Sequence, residues 1–319
     1  MQIVDLIQLG LQIYKHFIYE NIIMIYISTC HDPFINLAIE DWLLNQKKSN
    51  QTLFLWQNFP CIVIGRAQNP WIECNLKEMQ RNNIPLVRRQ SGGGAVYHDL
   101  GNLNITIFSA IKEHSIIKNL DFISKIINTL GIKLISNERN DLIVHYNSNN
   151  YKVSGSAFRH VKDYAFQHLT LLVNCNLKNL KKYLKPFNKG IISKGIKSII
   201  SPVINLNQIE PNLNISKIQD ALISFAKLDS KKKIIKISAK KYKINKKKFA
   251  TWEWCFGKTP PFVQKIKNFD AKKIVIYVEK GIITDIKSNE ISEKHLNKIK
   301  YKFLCKRYCI KNIKNIKNY

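Results

Sequence analysis

The sequence predicts an α+β fold, and two features of its hydrophobic pattern carry the prediction. Short apolar runs bounded by turn residues, such as 52–56 and 61–65, are typical of buried strands. Other segments, such as 121–130 and 215–228, have apolar residues at helical spacing. With 319 residues, of which 45% are hydrophobic, the chain is long enough for one sizeable core and a second, smaller one.

The first predicted strand, 24–28, follows an apolar segment that is interrupted by charged and polar side chains. These interruptions exclude a membrane span, and the segment lacks the basic start and the cleavage site of a secretory signal. Its acidic residues and its lack of arginine argue against a mitochondrial presequence. We therefore interpret 1–23 as an N-terminal extension, with Met24 as an alternative start.

Residues that begin and end helices define several of the later elements. Asp32-Pro33 is expected to begin a helix that continues to Leu44, and Gly131 is expected to cap helix 121–130. The lysine-rich run 231–248 is predicted to be a partly mobile domain junction. Further strands are predicted at 86–87, 103–108, 140–144, 152–159, 168–173, 274–278 and 282–286, and further helices at 76–83, 177–184 and 291–310.

A glycine-rich segment follows two adjacent arginines. Arg88 and Arg89 precede Gln90-Ser91 and the triplet 92–94, and an apolar strand comes soon after. Guanidinium groups suit phosphate, and glycines let backbone N–H groups approach a ligand's oxygens. The segment predicts a cradle for a phosphate or an adenylate, although it matches neither a Walker A loop nor a dinucleotide fingerprint. A mobile turn is the alternative interpretation.

Three single residues are candidates for chemistry. Lys152 lies among apolar and small residues, where an ammonium can bridge a carboxylate and an α-phosphate in a transition state. Asp141, at the start of a strand, is a candidate Mg²⁺ ligand. His168 begins another strand. Each also has a plain structural interpretation, respectively as an exposed strand lysine, a turn or cap residue and a structural histidine.

The chain is strongly basic, with 51 Lys+Arg against 22 Asp+Glu and a net charge of +29. Such a charge normally suggests nucleic acid as a partner. Lysine, however, recurs here with asparagine and isoleucine, a bias that an AT-rich genome produces. We therefore predict no nucleic-acid partner and no membrane. The arginines are Arg66, Arg81, Arg88, Arg89, Arg139, Arg159 and Arg307.

The cysteine content predicts a reducing compartment. The seven cysteines are odd in number and have no CxxC spacing, so disulfides and structural zinc are not expected. Together with the absence of a targeting signal, this favours the cytoplasm of a bacterium over a mitochondrion.

Several segments, in order along the chain, resemble the lipoate–protein ligases, and in particular their bacterial ATP-dependent type. The resemblance implies a mixed β-sheet catalytic domain of the biotin/lipoate protein ligase type at 24–246 and a small C-terminal α+β accessory domain at 247–319. The chain after the tryptophan cluster is shorter than in the bacterial ligases. The matching segments are 31–38, 64–71, 88–102, 140–142, 152–159, 168–172, 252–254 and 256–257.

The resemblance implies a two-step acyl transfer. Lipoate and ATP would give lipoyl-AMP and pyrophosphate, and the lipoyl group would then pass to a lysine of a lipoyl domain, in a 2-oxoacid dehydrogenase E2 subunit or the glycine-cleavage H protein. Lys152 matches the lysine that contacts both the lipoate carboxylate and the α-phosphate, and Asp141 matches the carboxylate on the Mg²⁺ side. The other matches are Arg89, Gly94, Ala95, Val96 and Tyr97 for ATP, and Ser91, Arg159 and His168 for lipoate or the adenylate.

Two alternatives remain open. The first is a transferase that uses preformed lipoyl-AMP or an octanoyl donor. Related octanoyltransferases use a cysteine shortly before the lysine segment, and no cysteine lies between Gly131 and Lys152, which disfavours a thioester route. The second is a basic nucleic-acid-binding protein, which only the net charge favours.

Overall fold

The computed structural model describes residues 22–46, 51–185, 190–226 and 233–319. Almost all of the predicted N-terminal extension, 1–21, lies outside the described residues. The strands are β1 (Ile22–Ser28), β2 (Gln51–Trp56), β3 (Cys61–Ile64), β4 (Leu86–Arg88), β5 (Val96–His98), β6 (Asn102–Ala110), β7 (Ile135–Ser136), β8 (Leu142–Tyr146), β9 (Asn149–Ser154), β10 (Ser156–Val161), β11 (Tyr164–Leu172), β12 (Ile191–Ser193), β13 (Lys233–Ile237), β14 (Phe262–Lys267), β15 (Lys273–Glu279) and β16 (Ile282–Lys287).

The helices include most of those predicted, together with short ones that the sequence analysis missed. They are α1 (Pro33–Asn45), α2 (Pro70–Glu73), α3 (Leu76–Arg81), α4 (Ile116–Thr129), α5 (Leu177–Tyr183), α6 (Ile215–Ala226), α7 (Lys247–Ala250), α8 (Trp252–Cys255), α9 (Glu293–Phe303) and α10 (Ile310–Lys317), with 3₁₀ turns at Ile111–Glu113 and Leu206–Gln208.

The chain divides into two compact units, each built from three separate segments. Unit 1 consists of Met1–Phe59, Asp99–Asn176 and Ser201–Asn245, and unit 2 of Pro60–His98, Leu177–Ile200 and Lys246–Tyr319. The last segment of unit 2 starts next to the predicted boundary between 246 and 247. Unit 2 also contains stretches that the sequence analysis assigned to the catalytic domain, and the two domains themselves stay a prediction.

Unit 1 is organised around a mixed six-stranded sheet with the order β10-β11-β6-β2-β1-β13. Strand β1 runs parallel to both β2 and β13, whereas the other neighbours are antiparallel. Alternate strand residues, such as Leu53 and Leu55 of β2, point to one face, where they pack against apolar residues of α4 and α6. Strand β13, at one edge of this sheet, lies within the lysine-rich run 231–248 that was predicted to be a domain junction.

A second sheet of unit 1, with the order β7-β8-β9, contains a tight hairpin. Strands β8 and β9 are joined by Asn147 and Ser148, whose φ angles of 45° and 60° allow a two-residue turn. The predicted strand 152–159 is in fact two strands. The chain leaves this sheet at Gly155 and enters the six-stranded sheet as β10.

Unit 2 contains a three-stranded sheet, β4-β3-β5, and a four-stranded sheet, β12-β14-β15-β16. The predicted hairpin is confirmed by the antiparallel pair β15 and β16. The predicted single helical tail is wrong, because α9 and α10 are separate helices, and Cys305 between them has a φ of 61°. Trp71 packs with apolar residues of β14, β15, β16, α9 and α10 to form the core of this unit. Among the described residues, no helix is long and apolar enough to cross a membrane.

Candidate active site

The predicted site residues belong to both units, and each group is described within its own unit. Unit 1 carries Asp141, Lys152, Arg159 and His168, and unit 2 carries Arg89, Ser91 and the segment 94–97.

Lys152 and Asp141 form an ion pair in the β8–β9 hairpin. The distance between Lys152 Nζ and Asp141 Oδ1 is 2.7 Å, and the side chains are 26% and 9% exposed, respectively. The backbone N–H of Asp141 donates to Asn137 Oδ1 (3.0 Å), and the N–H of Asn137 donates to the Asp141 carbonyl (3.0 Å). The ammonium is therefore partly open to solvent while its counter-ion is held in a closed turn.

Space for the Lys152 side chain depends on Gly155. A Cβ atom added at this glycine would lie 3.0 Å from both Cε and Nζ of Lys152. The Gly155 backbone is fixed by a hydrogen bond from its N–H to Thr170 Oγ1 (3.2 Å) and by one from the Thr170 N–H to its carbonyl (3.0 Å). The absence of a side chain at Gly155 therefore leaves the space that the Lys152 ammonium occupies.

Arg159 and His168 lie on the same face of the six-stranded sheet. Arg159 is paired with Phe166, and His168 with Ala157, so the two side chains are diagonal neighbours on β10 and β11. Thr106 of β6 is paired with His168 and lies on this face too. The structure thus brings two predicted lipoate-binding residues together.

His168 is held by a buried carboxylate that the sequence analysis missed. Its Nδ1 lies 2.8 Å from Glu40 Oε1, and this oxygen also accepts a hydrogen bond from Thr106 Oγ1 (2.8 Å). Trp56 Nε1 in turn donates to Thr106 Oγ1 (3.0 Å). Glu40 is on the buried side of α1 with Leu37 and Leu44, so a charged residue at an apolar helical position was the available signal.

In unit 2, the Arg89 side chain stabilises the conformation of the glycine segment by hydrogen bonds. Its Nη2 donates to the carbonyls of Gly92 (2.6 Å) and Gly94 (2.7 Å), and its Nε donates to Ser91 Oγ (3.0 Å). Gly93, in the middle of this turn, has a φ of 80°, a conformation that favours glycine. Arg89 is only 5% exposed, and its guanidinium shapes the predicted cradle through carbonyl oxygens.

Arg88 is fully buried and has a structural role. Its three guanidinium nitrogens donate at 2.8–3.1 Å to the carbonyls of Gly65, Arg66, Gln68, Trp254 and Cys255 and to Thr259 Oγ1. Burial lowers the pKa of Arg88 to about 10, which leaves it charged at neutral pH. Every nitrogen of the Arg88 guanidinium binds a protein oxygen, so Arg88 supports the structure around the glycine segment.

The segment 94–97 meets a residue that the sequence analysis missed. The Ala95 N–H donates to Ser198 Oγ (2.8 Å), and the Ser198 hydroxyl donates to the carboxylate of Glu73. Val96 and Tyr97 belong to β5 and pair with β3, so they anchor the segment in a sheet. A cavity of about 450 Å³ lies beside Glu73 and Ser198 and is also lined by Ile72, Leu184, Ile191, Ile192, Ser193, Lys197 and Ile200.

Among the described residues, no cluster of three or more His, Cys, Asp or Glu side chains could hold a metal ion. A single carboxylate, such as that of Asp141, is compatible with a magnesium ion that keeps most of its ligands as water and phosphate oxygens. Its Oδ1 binds Lys152, and its Oδ2 is 3.9 Å from Arg139 Nε, beyond hydrogen-bond distance. This second oxygen is the one that could reach a cation.

Comparison with known proteins identifies the family. The family model of the lipoyl protein ligase A/B catalytic domain matches residues 32–226. Lipoate-protein ligase A of Psychrobacter cryohalolentis is 39% identical over 255 residues, which cover 76% of this chain and 74% of the relative. Lipoate-protein ligase A of Blochmanniella floridana is 40% identical over 254 residues, with the same two shares.

Solved structures agree with this result. LipL1 of P. falciparum in complex with lipoate has a TM-score of 0.64 and 29% identity, and the match covers 92% of this chain and 93% of that one. A lipoate-protein ligase A bound with ATP shares the fold, with a TM-score of 0.58 and 23% identity over 73% of this chain and 98% of that one. The chain therefore belongs to the lipoyl protein ligase A/B family.

Proposed function

We propose that this chain is an ATP-dependent lipoate–protein ligase. The observation that carries the proposal is the Lys152–Asp141 pair, which lies in the part of the chain matched by the family model and presents a partly exposed ammonium. Its relatives are named lipoate-protein ligase A, and related structures hold lipoate or ATP.

In the first step, a carboxylate oxygen of lipoate attacks the α-phosphorus of ATP. The bond to the leaving pyrophosphate breaks, and lipoyl-AMP forms. Two anionic groups must converge for this reaction, so the protein contributes charge neutralisation and positioning. Lys152 supplies a cation to both groups, and Asp141 keeps its ammonium aligned.

The nucleotide is assigned to the glycine segment. The segment 94–97 would lie beside the phosphates, and Arg89 keeps the segment in shape through the carbonyls of Gly92 and Gly94. The Ser91 hydroxyl would line the pocket that holds the adenylate. In this assignment Arg89 acts through the backbone that it organises.

Lipoate is assigned to residues on one face of the six-stranded sheet. Arg159 provides a permanent positive charge for its carboxylate, and His168, fixed by Glu40, provides a polar ring on the same face of the sheet. Trp56 and Phe54 of β2 are buried beside this polar face and supply an apolar surface of the kind that an aliphatic chain requires.

Asp141 Oδ2 is the oxygen that would bind Mg²⁺, together with phosphate oxygens of ATP. When bound there, the ion neutralises phosphate charge.

In the second step, the ε-amine of an acceptor lysine attacks the acyl carbon of lipoyl-AMP, AMP leaves, and the amine loses a proton as the amide forms. The acceptors we propose are lipoyl domains of 2-oxoacid dehydrogenase E2 subunits and the glycine-cleavage H protein. An archaeal lipoate protein ligase has been described with its E2 lipoyl domain. The net charge of +29 would speed association with an acidic acceptor domain.

The test is pyrophosphate release. Purified protein with lipoate, ATP and Mg²⁺ is expected to release pyrophosphate and to lipoylate an apo lipoyl domain. Modification that occurs only with added lipoyl-AMP would identify a transferase instead. Omission of Mg²⁺ in the presence of a chelator is expected to abolish the first step and to leave transfer from preformed lipoyl-AMP intact. A cytoplasmic location stays a prediction.

A further inference from the structure

We propose that Glu73 is a positioning residue for the nucleotide-binding segment 94–97, and that it acts through Ser198. The inference rests on the proposed function, because it assumes that this segment binds ATP. All residues involved belong to unit 2.

Glu73 holds Ser198 at two points. It is the last residue of α2 and is 7% exposed. Its Oε2 accepts a hydrogen bond from the Ser198 backbone N–H (3.1 Å) and a second one from the Ser198 hydroxyl. One charged oxygen therefore fixes both the backbone and the side-chain rotamer of Ser198. Hydrogen bonds to a charged acceptor are stronger than those between neutral groups.

The hydroxyl oxygen of Ser198 connects Glu73 to the nucleotide-binding segment by hydrogen bonds. It accepts hydrogen bonds from the Ala95 N–H (2.8 Å) and from Gln68 Nε2 (3.1 Å). A hydroxyl that donates to a carboxylate is a better acceptor, because hydrogen bonds in a chain polarise one another. The negative charge of Glu73 thus strengthens the hydrogen bond that holds the Ala95 amide.

The close approach of Ser198 explains a glycine of the cradle. A Cβ atom added at Gly94 would lie 3.1 Å from Ser198 Oγ and 3.3 Å from Ser198 Cβ. Gly94 thus packs closely against Ser198 and Ala95 donates a hydrogen bond to it, although more than a hundred residues separate them from Ser198 in the sequence. The arrangement fixes the part of the cradle that we assign to the phosphates.

The short helix α2, which carries Glu73, is fixed by packing and by an N-terminal cap. The preceding Trp71 is buried, and its ring lies 5.5, 5.3 and 5.0 Å from the rings of Phe256, Phe262 and Tyr308, respectively. Asn69 caps α2 by accepting a hydrogen bond from the Trp71 N–H (3.0 Å). A carboxylate held in this way can set the position of Ser198 reproducibly, as a positioning residue must.

The decisive variant is Glu73→Gln, which keeps the shape and the hydrogen-bonding oxygen but removes the charge. We expect the KM for ATP to rise about tenfold, which corresponds to about 1.4 kcal/mol. The KM for lipoate should stay at the wild-type value, and the protein should remain folded. Ser198→Ala should raise the KM for ATP too, and Ser198→Thr, which retains the hydroxyl, should restore it. The matched control is Ile199→Ala, since this neighbouring side chain is 65% exposed.

Two results would overturn the inference: an unchanged KM for ATP in Glu73→Gln, or equal rises in the KM for ATP and for lipoate, which would indicate a general structural role. If Ser198→Ala fails to fold, Glu73→Gln decides. Failure of the proposed function is distinguishable, because the wild-type protein would then release no pyrophosphate. In that case calorimetric ATP affinities of the wild type and of Glu73→Gln decide the role of Glu73, and equal affinities or an absence of binding would overturn it.

Discussion

Arg88 and Trp254 bind each other in both directions. The guanidinium Nε of Arg88 donates to the Trp254 carbonyl (3.1 Å), and the indole Nε1 of Trp254 donates to the Arg88 carbonyl (2.7 Å). The charge of Arg88 is thus compensated by carbonyl dipoles and one hydroxyl. This arrangement joins the strand that precedes the glycine segment to the aromatic segment that begins at α8.

Removal of this pair should destabilise the protein in two graded steps. Trp254→Phe removes one partly buried hydrogen bond and is expected to lower the free energy of unfolding by about 1 kcal/mol. Arg88→Lys should cost roughly 3 kcal/mol, because one ammonium cannot donate to all the oxygens that the guanidinium serves. Urea denaturation measures both values. An Arg88→Lys variant as stable as Trp254→Phe would contradict the structural role assigned to Arg88.

Loss of the Lys152 ammonium should slow adenylation strongly and leave the fold intact. Lys152→Ala is expected to reduce the rate of pyrophosphate release about 10²–10³-fold, as removal of one preorganised transition-state donor does. Circular dichroism should show a folded protein. Lys133→Ala, which removes an exposed lysine, is the control. Undiminished lipoylation by Lys152→Ala would exclude the role proposed for Lys152.

Gly155→Ala should affect activity more than stability. The added methyl would approach Cε and Nζ of Lys152, the flexible end of a side chain, which can shift at low cost. Such a shift misplaces the ammonium, so we expect pyrophosphate release to fall roughly tenfold with little change in Tm. Steady-state kinetics and thermal unfolding of the same sample test this. A wild-type rate would show that the ammonium tolerates displacement.

His114 should make the protein less stable in mild acid. Burial, and then the neighbouring His160, lower the pKa of His114 to about 4, whereas its ordinary value is 6.5. The unfolded chain therefore binds a proton that the folded chain does not in the pH range between these values. Stability is complete above pH 6.5 and declines as the pH falls towards about 4.

Urea denaturation at several pH values detects this effect. His114→Gln, which cannot be protonated in this range, should flatten the decline between about pH 6.5 and 4. His295→Gln, which replaces an exposed histidine, is the control. An unchanged pH dependence in His114→Gln would refute the assignment.

Local signals in the sequence were sufficient for much of the fold. The predicted family and the α+β class are confirmed. Asp32 caps α1 through its side chain, which accepts hydrogen bonds from the N–H groups of Phe34 and Ile35. Gly131, with a φ of 92°, follows α4, and the β15–β16 hairpin matches its predicted position. The helix cap, the glycine after α4 and the hairpin each depend on residues close to one another in the chain.

Long-range pairing accounts for most of what the sequence did not predict. Strand β13 was missed because lysines mask its alternation and its parallel partner, β1, is far away in the chain. The Glu73–Ser198 contact spans 125 residues. The actual role of Arg88 also depends on acceptors from distant segments. Residue type alone does not distinguish the roles of Arg88 and Arg89, because arginine has the same donors whether they meet a phosphate or backbone carbonyls.

The division of unit 2 into three segments has a consequence for biosynthesis. Arg88 leaves the ribosome 166 residues before Trp254, a delay of about 8–33 s at roughly 5–20 residues per second. Until then the guanidinium lacks its partners from 254–259, and Trp71 lacks the aromatic rings of the last segment. We therefore expect unit 2 to fold only after its last segment, Lys246–Tyr319, has been synthesised. Nascent chains arrested before residue 246 should be cleaved by a protease within 60–98, whereas protection there would disprove it.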